Sequence, residues 1–131
     1  MKRQATILIA DRNPHVRAFL AREMKVEGFR IRLAKNCREI LDWVYHTEPL
    51  DLIILDPDLP DDEGQKILLK LYDRIPTIPV VVHSWSSDYA GPPDDSESVS
   101  FVKKEGNSIE ALKRTVFNII EGNRKTGLAG P

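Results

Sequence analysis

Residues 7–17 read ILIADRNPHVR, an apolar run that ends at an acid, Asp11, and is followed at once by the start of a helix. A continuous apolar run predicts a strand that is buried on both faces of a sheet. Asn13 followed by Pro14 is typical of a helix N-cap with proline at the first helical position. The segment therefore predicts a strand that leads directly into a helix, the unit from which parallel α/β folds are built. It also places a cation, Arg12, beside the acid at the strand end.

Four further segments have the patterns of strands. The first run is complete as TILIA (6–10), and the runs LIIL (52–55) and VVV (80–82) are equally apolar, which indicates three strands in the centre of a sheet. FRIRLA (29–34) alternates between apolar and polar residues, and with VSFVK (99–103) it is expected at the edges. The sequence therefore predicts five strands.

Helical patterns fill the gaps between these strands. Gly28 and Gly122 are expected to end the first and the last helix, and Asn107 or Ser108 to cap the last. The apolar stripes, each spaced as one helical face, are Val16, Phe19 and Leu20; Cys37, Ile40, Leu41, Val44 and Tyr45; Ile67, Leu68 and Leu71; and Ile109, Leu112, Val116, Ile119 and Ile120. The alternation of strands and helices predicts an α/β fold, an open sandwich with helices on both faces of a parallel sheet.

One segment does not fit the regular alternation. Residues 83–98, HSWSSDYAGPPDDSES, carry no helical stripe, so the fourth helix is expected to be short or missing. We expect one domain over residues 1–122 and a flexible C-terminal tail over residues 123–131.

The composition excludes several classes of protein. The chain has 131 residues, of which 41% are hydrophobic and 30% charged, as expected for one globular domain. The net charge is −1, which argues against a nucleic-acid partner, because such binding needs a concentrated basic surface. No apolar run approaches the ~20 residues of a membrane span. A single cysteine, Cys37, cannot form an internal disulfide, so a cytoplasmic location is expected.

Polar side chains follow four of the predicted strands where each strand ends. They are Asp11, Asp56, Ser84 and the lysine pair Lys103–Lys104. In open parallel sheets, binding sites form beyond the carboxyl ends of the strands. Two acids, a hydroxyl and a lysine at one edge therefore indicate a functional site. His83, just before Ser84, could modulate this site by titrating near neutral pH, but a packed histidine at the strand end is the favoured interpretation.

The segment DLIILDPDLPDDEG (51–64) resembles the phosphoacceptor segment of receiver domains from two-component response regulators. Its acid Asp56 is followed by Leu59 and Pro60 and then by Gly64, and PVVVHS (79–84) and FVKKEGNSIEAL (101–112) resemble further segments of the same family. The resemblance covers residues ~5 to 121 and implies a chemotaxis-regulator-like, flavodoxin-like sheet of strand order 2-1-3-4-5.

The resemblance also implies roles for individual residues. Asp56 is expected to accept the phosphoryl group, Ser84 to be the switch hydroxyl, Phe101 the switch aromatic residue and Lys104 the site lysine. The chemistry is reasonable, because a carboxylate can form an acyl phosphate whose charge must be met by cations and donors.

Arg12 departs from the family pattern, in which two acids follow the first strand and the second binds the metal. The remaining ligand candidates for Mg²⁺ are Asp11, Asp56 and Asp58, the last through its backbone carbonyl, and we expect a weak Mg²⁺ site or none. The formal charges of these site residues, Asp11, Asp56, Lys104 and Arg12, cancel. The site therefore attracts a divalent cation less strongly than a site with a second acid at position 12. Either Arg12 does part of the metal's work as a bidentate clamp, or it pairs with Asp11 or Asp56 or points into solvent.

These residues predict a signalling module and not an enzyme. The leading hypothesis is phosphorylation on Asp56 by a histidine kinase or a phosphotransferase. Because we expect no output domain after residue 121, output is expected through contact with a downstream protein. Whether the chain forms a homodimer stays open. The alternative is a pseudo-receiver, an interaction module that is not phosphorylated in the usual Mg²⁺-dependent way. A nucleotide binder is disfavoured because the chain lacks a glycine-rich phosphate loop.

Overall fold

The computed structural model describes residues 4–62, 66–73, 77–85 and 99–126. Strands and helices alternate through most of this part of the chain. In chain order the elements are β1 (Thr6–Ala10), α1 (Pro14–Val26), β2 (Arg30–Ala34), α2 (Cys37–Val44), β3 (Leu52–Leu55), α3 (Lys66–Tyr72), β4 (Val80–Ser84), β5 (Val99–Lys103) and α4 (Ser108–Thr126).

The five strands form one parallel sheet in the order β2-β1-β3-β4-β5. This order confirms the flavodoxin-like topology. The central strands β1, β3 and β4 are buried along their whole length, whereas β2 and β5 at the two edges are partly exposed. The continuous and the alternating patterns therefore identified the centre and the edges of the sheet correctly.

Helices cover both faces of the sheet, as predicted. Ile7 and Ile9 of β1 pack into the core beneath α1 and α4, and their neighbours Leu8 and Ala10 pack into the core beneath α2 and α3. The alternation follows from the strand geometry, which directs successive side chains to opposite faces. Among the helices in the described part of the chain, none is long and apolar enough to span a membrane.

The prediction that every stripe residue is buried is wrong for two of them. Phe19 of α1 is 41% exposed and Tyr45, just after α2, is 72% exposed, whereas Ala21 and Met24 of α1 are buried. The apolar face of α1 is rotated towards Ala21 and Met24, and α2 has ended before Tyr45.

The last helix does not end at Gly122, because α4 continues to Thr126. Glycine in a helix interior costs only about 1 kcal/mol, which does not by itself end a helix of 19 residues. The helix therefore crosses the boundary between the predicted domain and its tail. The division itself stays a prediction, since residues 127–131 lie outside the described residues. Residues 86–98, where the short or missing fourth helix was expected, also lie outside them.

Helix α1 begins and ends as predicted. The Asn13 side chain accepts hydrogen bonds from the backbone N–H groups of His15 and Val16, at 2.8 and 3.2 Å. At the other end Gly28 has a φ of +93°, a left-handed conformation that favours glycine.

Replacing Asn13 by alanine should lower the free energy of unfolding by about 1 kcal/mol, because two N–H groups lose their acceptor. Urea denaturation measures the loss. Asn13→Asp is the matched control and should retain most of the stability, since aspartate is an equally good cap. Equal losses in both variants would contradict the capping role.

Candidate functional site

The polar residues at the strand ends meet at one edge of the sheet, as predicted. The backbone N–H of Asp56 donates to the Ala10 carbonyl at 2.8 Å, and that of Lys104 donates to the Ser84 carbonyl at 2.7 Å. These bonds continue the sheet ladder by one residue. Asp11, Asp56, Ser84 and Lys104 are all buried there.

Lys104 and Asp11 form a buried ion pair. Lys104 Nζ lies 2.9 Å from Asp11 Oδ2, and Asp11 Oδ1 accepts a hydrogen bond from the backbone N–H of Asn13 at 2.9 Å. The Arg17 guanidinium also donates to the Asp11 carbonyl at 2.7 Å. The charge of Asp11 is therefore already compensated by protein groups.

Asp56 is held by the two loops on either side of it. Asp56 Oδ1 accepts a hydrogen bond from the backbone N–H of Asp58 at 3.0 Å, and Oδ2 accepts one from the backbone N–H of Arg12 at 3.1 Å. Both bonds fix the carboxylate in place, and its side chain is only 1% exposed.

The Arg12 side chain lies over this carboxylate. Arg12 Nε is 3.7 Å from Asp56 Oδ2, and Nη1 donates to the Asp58 carbonyl at 3.3 Å. Nη2 is 4.0 Å from the Asp58 carboxylate. Half of the Arg12 side chain is exposed to solvent. Arg12 thus pairs with Asp56 and with the loop after β3, and its ion pairs do not include Asp11.

The residues present do not fit the Mg²⁺ site that the resemblance implied. Mg²⁺ requires oxygen ligands in a near-octahedral array. Lys104 already contacts Asp11, and Arg12 already contacts Asp56 and the Asp58 carbonyl. Among residues 4–62, 66–73, 77–85 and 99–126, no group of three or more His, Cys, Asp or Glu residues is placed to hold a metal.

His83 is a further buried polar residue at the sheet edge that carries Asp56 and Ser84. It is 4% exposed, and its Nε2 lies 3.4 Å from Ser108 Oγ at the start of α4. Within the described residues its Nδ1 has no hydrogen-bond partner. Burial, followed by the charge of Lys104, lowers the pKa of His83 to about 4, against the opposing effect of Asp56. The sheet register places His83 beside Asp56, since Leu55 pairs with Val82 and the next residues of the two strands are Asp56 and His83.

Phe101 lies on the edge strand β5 and is 40% exposed. It pairs in register with Val82 of β4, one residue before His83. The predicted switch aromatic residue therefore lies at the surface beside the site, while the predicted switch hydroxyl of Ser84 is buried.

Asp61, in the loop that follows Asp56, caps α2. Its two carboxylate oxygens accept hydrogen bonds from the backbone N–H groups of Cys37 and Arg38, at 2.7 and 3.1 Å. Burial raises the pKa of Asp61, but these N–H bonds outweigh it and the net pKa is lowered. The loop after the site is thereby tied to a second helix.

Replacing Asp61 by alanine should destabilise the fold by about 1–2 kcal/mol, because the first turn of α2 loses two acceptors. Thermal or urea unfolding at neutral pH measures the effect. Asp58→Ala is the matched control: its carboxylate lies on the same loop, is 53% exposed and makes only a 4.0 Å ion pair. Similar losses in the two variants would contradict the capping role of Asp61.

Comparison with known proteins agrees with this architecture. A sequence model of the response regulator receiver domain matches residues 7–115. The DNA-binding transcriptional regulator NtrC of Bradyrhizobium sp. (strain RP501 Parasponia) is 32% identical over 79 residues, which cover 60% of this chain and 16% of that protein. The chain therefore spans a small part of the curated relative that it matches.

Solved structures show the same fold. The signal receiver domain of a LuxO repressor homologue from Vibrio parahaemolyticus superposes with a TM-score of 0.78 at 20% identity, covering 98% of this chain and 99% of that one. The response regulator TrrA of Thermotoga maritima, solved in complex with Mg²⁺ and BeF, gives a TM-score of 0.76 at 26% identity and covers 88% and 99%. With the family match over most of its length, the chain belongs to the response regulator receiver domain family.

Proposed function

We propose that this receiver accepts a phosphoryl group on Asp56 from a phosphohistidine of a histidine kinase or phosphotransferase. The observation that carries the proposal is the buried Asp56 carboxylate, fixed by two backbone N–H groups and lying beside the Arg12 guanidinium. Receiver domains are signalling modules of two-component systems, and the match to that family supports the same role here.

The transfer step is a substitution at phosphorus. An oxygen of Asp56 forms the new P–O bond while the P–N bond of the phosphohistidine breaks, and the imidazole nitrogen keeps the electron pair. The product is an acyl phosphate. The acyl phosphate carries about two negative charges at neutral pH, in place of the single charge of the free carboxylate. This charge would lie beside Arg12, at the sheet edge that also carries Lys104 and Ser84.

Output through protein contact is part of the proposal. The relative NtrC is described as a DNA-binding transcriptional regulator, but the net charge of this chain is −1, which does not suit direct contact with nucleic acid. A downstream protein that recognises the phosphorylated form fits this charge better.

A pseudo-receiver is the second candidate, and two observations favour it. The Asp56 side chain is 1% exposed beneath Arg12, and the described residues do not fit a Mg²⁺ site. In that case the fold is retained for binding a partner and Asp56 does not react.

Intact-mass spectrometry after incubation with acetyl phosphate and Mg²⁺ tests the proposal. The native chain should gain one phosphoryl group, and Asp56→Asn should gain none. Asp42→Asn is the matched control, because Asp42 is an exposed aspartate of α2, and it should still be modified. An adduct that persists in Asp56→Asn, or no adduct in the native chain and in any Arg12 variant, would refute the assignment of Asp56.

A further inference from the structure

We propose that Arg12 is the resident cation of the phosphorylation site, so that Asp56 accepts a phosphoryl group without Mg²⁺ and the native site does not bind Mg²⁺. The inference rests on the proposed function of Asp56. It replaces the metal of the family by a side chain of this protein.

The guanidinium already touches the groups that a metal would need. Nη1 donates to the Asp58 carbonyl at 3.3 Å, and Nε lies 3.7 Å from Asp56 Oδ2. Both of these oxygens are candidate metal ligands. A divalent cation could bind them only after the guanidinium had moved away.

The third candidate ligand is also engaged. Asp11 forms a 2.9 Å ion pair with Lys104, and both side chains are buried. Separating a buried pair leaves an uncompensated charge and is costly. A metal would therefore have to compete with two cations of the protein, Arg12 at Asp56 and Lys104 at Asp11.

The charges lead to the same conclusion. Asp11, Asp56 and Asp58 carry three negative charges, and Arg12 and Lys104 carry two positive ones, so the site has a formal charge of −1 before phosphorylation. An acid in place of Arg12 would bring the same site to −3. The native site therefore attracts a divalent cation far less strongly than the acidic site would.

The geometry leaves donors of Arg12 ready for the phosphoryl oxygens. The contacts of Nε and Nη2 with carboxylate oxygens, at 3.7 and 4.0 Å, are longer than hydrogen bonds. These donors can turn to two phosphoryl oxygens without breaking a short bond, and the planar guanidinium suits bidentate contact with phosphate. Half of the side chain is in solvent, which leaves it room to move.

The experiment measures phosphorylation by acetyl phosphate in buffer with Mg²⁺ and in buffer with a chelator. In this reaction Asp56 forms the P–O bond and acetate leaves with the electron pair of the bond that breaks. Native protein, Arg12→Ala, Arg12→Lys and Arg12→Asp are compared, and Mg²⁺ binding to each is measured by calorimetry. Arg22→Ala is the matched control, because Arg22 is an arginine of the adjacent helix α1 whose side chain is 71% exposed.

We expect native protein and Arg22→Ala to be phosphorylated at the same rate with and without Mg²⁺ and to bind no Mg²⁺. Arg12→Ala should react about a hundredfold more slowly in chelator, as when one preorganised donor of a transition state is removed. Arg12→Lys should keep part of the rate, because it keeps the charge but loses the bidentate fork. Arg12→Asp should bind Mg²⁺ and require it.

Any one of five results would overturn the inference. A native rate that depends on Mg²⁺, or saturable Mg²⁺ binding by the native chain, would show that Arg12 does not replace the metal. A faster reaction of Arg12→Ala in chelator would show that Arg12 only blocks Asp56. Phosphorylation of Arg12→Asp alone would show that Asp56 is a competent acceptor which Arg12 silences, whereas no reaction in any variant would remove the proposed function as well.

Discussion

Replacing Lys104 by methionine is expected to lower the free energy of unfolding by about 3–5 kcal/mol, as found when one partner of a buried ion pair is removed. Lys104 and Asp11 lie 2.9 Å apart with side chains 6% and 2% exposed. Methionine has a similar length but no charge, so the Asp11 carboxylate stays buried without its cation. Urea denaturation at pH 7 gives the difference directly.

Two further variants separate the charge effect from a packing effect. Lys103→Met is the matched control, because Lys103 is half exposed and its 3.6 Å contact with Glu105 is a surface pair; its loss should stay within about 1 kcal/mol. Combining Lys104→Met with Asp11→Asn removes both charges and should recover much of the stability. If Lys104→Met costs no more than Lys103→Met, the buried pair does not stabilise the fold.

The second large effect is a loss of stability in mild acid caused by His83. Its pKa is lowered to about 4 by burial and then by Lys104, whereas an unperturbed histidine has a pKa near 6.5. Between these two values the unfolded chain binds a proton that the folded chain does not, so stability falls as the pH falls. From pH 6.5 to pH 4 the expected loss is about 3 kcal/mol.

Comparing the pH dependence of native protein with that of His83→Leu isolates this contribution. The variant should lose about 3 kcal/mol less than the native chain over the same range. The comparison cancels the acid-dependent contributions of Asp61 and Glu48, whose pKa values are lowered by their hydrogen bonds despite burial. Identical profiles for native protein and His83→Leu would show that His83 titrates normally.

Local patterns were sufficient for most of the fold. The runs TILIA and LIIL coincide with β1 and β3 because strands buried on both faces leave an unbroken apolar run. The start of α1 was readable because Asn13 and Pro14 act within one turn. The end of α4 was not readable from Gly122, because glycine in a helix costs only about 1 kcal/mol and does not by itself end the helix.

The residues of the candidate site were predictable from the sequence, but the ion pairs and hydrogen bonds between them were not. Asp11, Asp56, Ser84 and Lys104 follow strand ends, and a parallel sheet brings those ends together whatever the side chains are. Which cation faces which acid depends on distances between loops, and sequence reasoning did not pair Lys104 with Asp11. Sequence reasoning also left the partner of the Arg12 side chain undecided. In the structure its guanidinium contacts Asp56 and the Asp58 carbonyl.

His83 was placed next to the site by its position before Ser84, but its burial close to Lys104 emerged only from the structure. Its neighbours in the sheet register are known once β3 and β4 are aligned, and the sequence gives no alignment between strands. The burial of the imidazole beside Lys104 then explains why it stays neutral.

The central claim is that the phosphorylation site carries its own cation. The most direct test is ¹⁹F NMR of the chain mixed with beryllium fluoride, a phosphoryl mimic that binds carboxylates, in buffer stripped of Mg²⁺. We predict resonances of bound fluoride that are lost in Asp56→Asn and weakened in Arg12→Ala. Bound resonances that appear only after Mg²⁺ is added would contradict the claim, because the site would then depend on an external metal.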